Sequence, residues 1–295
     1  MSTALSIEGE SPPRCARLAR TSSRCRGFTL IELFMVISVI ALLLALVLPA
    51  VQMGREAARR LKCRSHLMHI GLALRNYEAI HDCLPPGSID RNRPVRNEER
   101  GYHFSWMVQI LPCLDQPAVY ATFDFSAGVY DKKNGWAGGA IGVFSCPTGG
   151  GYPSYAACHH DVEAPIDVDN HGVMFLNSSV RREDITDGAA NTIFVGESGG
   201  TGGWGSGWTS GTRATLRNTG TRINEGRVPP GGVAPIVTPD TVDVLAVGGF
   251  GSSHGDGAYF AFGDGSVRYL NQAIPLLLFA RLGHRADGAL LDGEF

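Results

Sequence analysis

Apolar and polar positions divide the chain into three regimes. From Phe28 to Leu48 it runs 21 residues with a single charge, Glu32. As a helix this is about 32 Å long, roughly one bilayer core. Beyond it the spacing changes. Leu67, Ile70, Leu74 and Tyr77 step by three and four, and Leu61, Met68 and Leu72 adjoin them. Together they predict a broad apolar stripe on a helix laid over a globular domain. Pro49 removes one backbone bond without ending the helix, and Leu84-Pro85-Pro86-Gly87 stops it. The expectation is one helix from Phe28 to about His81 within residues 28–84, with 28–48 spanning a membrane and 49–81 amphipathic.

From residue 85 the pattern shortens. Residues 90–100 form a charged loop, and Phe104 to Leu114 is a short apolar element that stops around Pro112. Of the 38 glycines, 31 fall in residues 135–295, which favours short strands joined by turns over long helices. Candidate strands are Gly142–Ser145, Gly172–Leu176, Thr192–Gly196, Ala258–Phe262 and Val267–Leu270. The last two form a hairpin around Asp264-Gly265, and residues 199–240 read as an irregular insertion. The expected fold is α+β: a long N-terminal transmembrane and amphipathic helix packed on a Gly-rich, mainly antiparallel β head, residues 85–295.

Composition sharpens one boundary. The chain has 295 residues, 26 basic and 28 acidic, a net charge of −2, which excludes a basic nucleic-acid coat. Residues 1–27 hold five of the basic residues (Arg14, Arg17, Arg20, Arg24, Arg26) and two of the acidic ones. The remainder therefore carries 21 and 26, a net charge of −5. Five arginines before an apolar helix direct that side to the cytoplasm and place the rest outside the inner membrane. A secretory signal has a shorter apolar run and a small-residue cleavage site; here the run is long and no clear site follows.

The junction reads Arg26-Gly27-Phe28-Thr29-Leu30-Ile31-Glu32-Leu33. It resembles the cleavage and methylation signal of type IV prepilins and pseudopilins. The resemblance implies that a prepilin peptidase cuts between Gly27 and Phe28, removing residues 1–27, and that Phe28 is N-methylated. It also implies that Glu32 pairs with the N-terminal ammonium of a neighbouring subunit during assembly. A carboxylate in a membrane segment costs a few kcal/mol, so it needs such a purpose, or a route to water near the helix end.

Near the C-terminus, His254 stands ten residues before Asp264-Gly265. This H-X9-DG pattern resembles the C-terminal signature of DUF1559, a bacterial family with prepilin-type N-termini. Ile185 to Glu197, Phe144-Ser145-Cys146-Pro147 and Ile70 to Tyr77 are similar to its other segments. The resemblance implies a pilin-like fold and brings no established activity.

The head offers candidate chemistry. Gly196-Glu197-Ser198-Gly199-Gly200 fits the nucleophile pattern G-x-S-x-G, but Thr201-Gly202-Gly203-Trp204-Gly205 does not start the helix that a nucleophile elbow needs. Gly200 to Gly205 also fits G-x-G-x-x-G, without a βαβ unit around it. Neither makes the chain an enzyme, and no cofactor is expected. Cys158-His159-His160-Asp161 is dense in ligand types, but four consecutive side chains do not converge on one ion. Asp161, Asp167 and Asp169, with Glu163 and Asn170, form an acidic loop with oxygen donors suited to structural calcium, though without EF-hand spacing. His254 and Asp264 are expected to face each other across the hairpin base.

Removal of residues 1–27 takes Cys15 and Cys25 and leaves Cys63, Cys83, Cys113, Cys146 and Cys158, in a compartment that permits disulfides. Cys63 and Cys83 lie about 30 Å apart along the helix and cannot pair with each other. A Cys63–Cys146 bridge would staple helix to head, with other pairings open. Five is odd, so at least one thiol stays free or pairs between subunits.

Two functions fit. One is a membrane-anchored pseudopilin-like structural subunit, self-assembling or joining related pseudopilins in a type II secretion or type IV pilus-like system. The other is a surface binding module for a polymer or carbohydrate, with Trp106, Trp136, Trp204 and Trp208 as stacking surfaces. Partners common to both are the prepilin peptidase and the inner membrane, with no nucleic acid.

Overall fold

The computed structural model describes residues 27–134, 139–148, 152–199, 207–225 and 243–289. The arginine-rich leader with Cys15 and Cys25, Trp136, Trp204, the glycine run 200–205 and most of the 199–240 insertion lie outside the described residues.

Two compact units divide the chain, Met1–Gln52 and Met53–Phe295. The first unit carries the N-terminal part of helix α1 (Leu30–His81). Thr29 caps it. The Thr29 hydroxyl accepts from the Glu32 N–H at 3.3 Å, and a Glu32 carboxylate oxygen accepts from the Thr29 N–H at 2.8 Å. This reciprocal capping box satisfies two N–H groups that a helix start leaves unpaired. Large apolar side chains from Phe28 to Val51 are all exposed, and Pro49 is accommodated inside the helix. The segment is long and apolar enough to cross a membrane.

In the second unit α1 buries one stripe: Cys63, His66, Leu67, Ile70, Ala73 and Leu74. Leu67, Ile70 and Leu74 were expected there, and Tyr77 packs at the edge of the same core. Leu61, Met68 and Leu72 were also expected to face the head, but they stand 64%, 46% and 57% exposed. A helix docked on one sheet covers a single stripe, and these three residues lie around the cylinder from it.

The head follows with β1 (Ser88–Ile89), β2 (Phe104–Ser105), α2 (Trp106–Gln109) and α3 (Pro117–Tyr120). Then come β3 (Tyr155–His160), β4 (Ile193–Glu197), β5 (Leu216–Asn218), β6 (Gly257–Phe262), β7 (Val267–Asn271) and α4 (Leu276–Gly283). β1 and β2 pair by themselves, and the others form a five-stranded sheet in the order β5-β3-β4-β6-β7. All pairings are antiparallel except β3 with β5. The fold is α+β with a mainly antiparallel sheet, as the glycine and turn pattern predicts.

The sheet is buried on both faces because adjacent strand residues point to opposite sides. Tyr155, Ala157, Val195 and Ala261 pack with Leu67, Ile70 and Leu74 of α1. Ala156, Cys158, Ile193, Phe260 and Leu270 pack with Phe279 and Leu282 of α4. Two expected strands take other forms. Gly142–Phe144 is a 3-10 turn, and Gly172–Leu176 is irregular with one bridge, from Leu176 to Ser88.

Candidate functional site

The hairpin separates the two halves of the His-Asp-Gly pattern. β6 holds six residues between them, about 20 Å of strand, so His254 and Asp264 do not meet as expected. Asp264 builds the turn. Its carboxylate accepts from the Ser266 N–H at 2.8 Å and lies 3.6 Å from Arg268. Gly265 has φ +87°, a conformation that glycine adopts without a Cβ penalty. The Phe262 carbonyl accepts from Gly265 and the Phe262 N–H donates to Ser266, a turn followed by a one-residue bulge.

His254 goes elsewhere. It precedes β6 and is 1% exposed, with its backbone N–H donating to the Ser252 hydroxyl at 3.1 Å. Its ring meets α1 and two loops. Nδ1 lies 2.8 Å from Glu56 Oε1. Nε2 lies 3.1 Å from Cys63 Sγ and 3.2 Å from Cys146 Sγ. The two sulfurs are 2.8 Å apart, and both cysteines are free thiols. An S–S bond is about 2.05 Å, so this is a contact between unbonded sulfurs.

Local sequence explains each placement. Glu56 and Cys63 are seven residues apart on α1 and so share one face, two turns from end to end. Cys146 follows the 3-10 turn, with its N–H on the Ser154 hydroxyl at 2.8 Å. Glu197 ends β4 on the same sheet side as Val195, which aims it at α1. One Glu197 oxygen accepts from the Tyr259 N–H at 2.9 Å. The other, Oε1, is buried without a hydrogen-bond partner and sits 3.8 Å from His254 Nε2. Cys63, Cys146, Glu197 and His254 each present a donor atom within 4.8 Å of the others.

The electrostatics follow from this packing. The hydrogen bond from Cys63 pulls the Cys146 thiol down, and His254 adds to the effect. That same bond and burial push Cys63 up. Burial lowers His254, but its contacts with Cys146 and Glu56 outweigh burial and leave it raised, to about 9. Burial pushes Glu197 up, while Glu56, against His254, is held below the usual range. The site is a buried imidazole held among two sulfurs, the partly exposed Glu56 carboxylate and Glu197, whose Oε1 has no hydrogen bond.

Sequence reasoning paired Cys63 with Cys146 and singled out His254, and the structure brings all three together. It missed Glu56 and Glu197. Glu56 could have been found from its seven-residue spacing to Cys63. Glu197 was passed over inside a serine pattern. Ser198 itself donates to the Pro153 carbonyl at 3.3 Å.

The acidic loop is committed to protein partners. Asp167 and Asp169 each meet the Arg93 guanidinium at 2.8 Å. Asp161 lies between His160 and His171, at 2.5 and 2.9 Å. Glu163 accepts from the Val247 N–H and from Asn218. The Arg93 guanidinium thus supplies Asp167 and Asp169 with the positive charge that a calcium ion would bring there. Trp106 and Trp208 are core residues, 0% and 1% exposed, whose indole N–H groups donate to the carbonyls of Thr215 and Gly139. Neither offers a stacking surface. A cleft of about 880 Å³ lies beside Asp90, Tyr102, Phe125 and Asn177. Asp90 accepts there from the backbone N–H groups of Asn92, Tyr102 and His103, and Asn177 brackets the Asp90 backbone.

Two family profiles match the chain. One, described as a protein of unknown function (DUF1559), covers residues 52–277, and the other, the prokaryotic N-terminal methylation motif, covers residues 22–48. No curated protein and no solved structure gives a match.

Proposed function

Because this chain belongs to the DUF1559 family and carries the N-terminal methylation motif of type IV pilin-like proteins, we propose that it is a pseudopilin-like structural subunit. It is cut between Gly27 and Phe28, N-methylated at Phe28 and held in the inner membrane by the first part of α1, with its head outside. From there it enters a type II secretion or type IV pilus-like assembly and acts as a scaffold, not as an enzyme.

The observation that carries this reading is an apolar helix face that stands exposed among the described residues. The described residues from Gly27 to Arg55 are exposed, and the exposed apolar positions continue past them at Leu61, Met68 and Leu72. A bilayer accounts for the first stretch, since its backbone groups are bonded within the helix and its side chains are apolar. It does not account for Leu61, Met68 and Leu72 beyond it. Neighbouring helices packed side by side bury both. The capping box supports the same reading, because it holds the Glu32 carboxylate at the first turn, where a neighbouring subunit's N-terminal ammonium can reach it.

The test is N-terminal sequencing and mass analysis of the protein from bacterial membranes, with fractionation of sheared filaments. The expected mature chain starts at methylated Phe28 and co-sediments with filaments. A Glu32→Ala chain is processed but leaves the filament fraction. A mature start other than Phe28 would sink the reading. A processed chain that never enters filaments and instead binds a glycan array would replace it with the surface binding module.

A further inference from the structure

The Cys63–Cys146–His254–Glu197 cluster lies within the head unit, and neither the family nor the pilin-like reading gives it a purpose. Four separated parts of the second unit supply it: α1, the loop after the 3-10 turn, β4 and the segment leading into β6. All four side chains are buried. We propose that it is a tetrahedral zinc site, with two thiolates, His254 Nε2 and Glu197 Oε1 as donors, that clamps α1 to the sheet.

Donor chemistry selects the ion. Two cysteines, one histidine and one carboxylate in a closed, buried set suit Zn²⁺ in a structural site, whereas calcium and magnesium take oxygen donors. Geometry agrees. Bond lengths of about 2.3 Å to sulfur and 2.0 Å to nitrogen, at the tetrahedral angle, place donor atoms about 3.3–3.8 Å apart. The sulfur–nitrogen separations are 3.1 and 3.2 Å, and Glu197 Oε1 lies 3.8 Å from Nε2. The sulfurs, at 2.8 Å, need to part by under about 1 Å.

Two further features point to a cation. Glu56 fixes His254 through Nδ1 and so turns Nε2 toward the sulfurs, the carboxylate–histidine arrangement that orients metal-bound imidazoles. Glu197 Oε1 is 2–3% exposed at the residue and side chain, aimed into the cluster, with no hydrogen bond. An unpartnered buried carboxylate oxygen is costly, and a bound cation satisfies it. A disulfide between Cys63 and Cys146 would use two of the four donors and leave that oxygen unsatisfied. On zinc binding the thiol and imidazolium protons leave to solvent, and Glu56 keeps its hydrogen bond to Nδ1–H.

The experiment uses the full chain in detergent, reduced and stripped of metal, with folding followed by circular dichroism. Zinc(II) is titrated against a colorimetric chelator, and cobalt(II) serves as a spectroscopic probe. The expected result is one zinc per chain, with tetrahedral cobalt bands and a thiolate charge-transfer band. Cys63→Ser and His254→Ala lose both signals, whereas Cys113→Ser keeps them. Glu56→Gln lies on a half-exposed helix face and removes no ligand, so it remains informative if the cysteine variants fail to fold. It weakens zinc about 10–100-fold. Three results overturn the proposal: a folded, reduced chain that takes up no zinc; uptake unchanged by Cys63→Ser and His254→Ala; or membrane-isolated chain with a mapped Cys63–Cys146 disulfide and no metal.

Discussion

His159 shows what one residue contributes. It is fully buried in β3, with Nδ1 3.1 Å from Asn170 Oδ1 and Nε2 without a partner. Burial pulls its pKa down to about 4, from about 6.5 in an unfolded chain. The unfolded chain therefore takes up the proton first as pH falls. The stability that neutral His159 contributes is complete above about pH 6.5 and is lost between there and about pH 4, on the order of 3 kcal/mol. Denaturant midpoints measured across that window should fall in the natural chain and flatten in His159→Gln. An equal slope in both would remove His159 from the acid limb. The sequence showed Cys158-His159-His160 only as a ligand-rich run. A strand sends neighbouring residues to opposite faces, so three adjacent candidates acquire three environments: Cys158 packs toward α4, His159 toward Asn170, and His160 against Asp161.

At the scale of elements, the hairpin β6–β7 was legible and β3, β5 and α4 were not. The hairpin declares itself through Asp264-Gly265 and the alternation on either side. β3 holds histidines and a cysteine instead of an apolar alternation, and β5 has three residues inside a stretch that composition marks as irregular. Both become strands by pairing with neighbours distant in sequence. Gly257 exposes the packing that follows. A Cβ there would overlap the Leu270 carbonyl oxygen and meet the Tyr269 ring at 2.8 Å. Gly257→Ala should therefore cost about 1–3 kcal/mol. Hydrogen exchange should show protection lost first in β6 and β7, with α1 kept. Equal loss throughout would mean that the hairpin and helix unfold as one unit. The helix and hairpin meet along their length: His254 before β6 reaches Glu56 and Cys63, and a Cβ on Gly265 after it would meet the Arg75 guanidinium at 2.9 Å. The His-Asp-Gly pattern thus marks two ends of one strand, both against α1.

At the scale of the molecule, the surface of α1 carries the functional prediction. Replacing exposed Met68 and Leu72 together with lysine should leave head stability within about 0.5 kcal/mol, since neither packs in the core. The same change should remove the protein from sheared filaments, because charges on a helix–helix face oppose its burial. A doubly substituted chain that fractionates with filaments like the natural one would show that this face is not used. The sequence by itself determined the N-terminal methylation motif, the apolar segment, the length of α1 and the hairpin, because each is written in contiguous residues with a fixed period or a turn. Only the tertiary structure decided the site. Glu56, Cys63, Cys146, Glu197 and His254 span nearly 200 positions of the chain. Residues so far apart in sequence meet only because the sheet lays β4 and the start of β6 under one stripe of α1. A local pattern holds no record of that meeting. The same stripe decided which apolar residues of α1 face the head and which stay exposed.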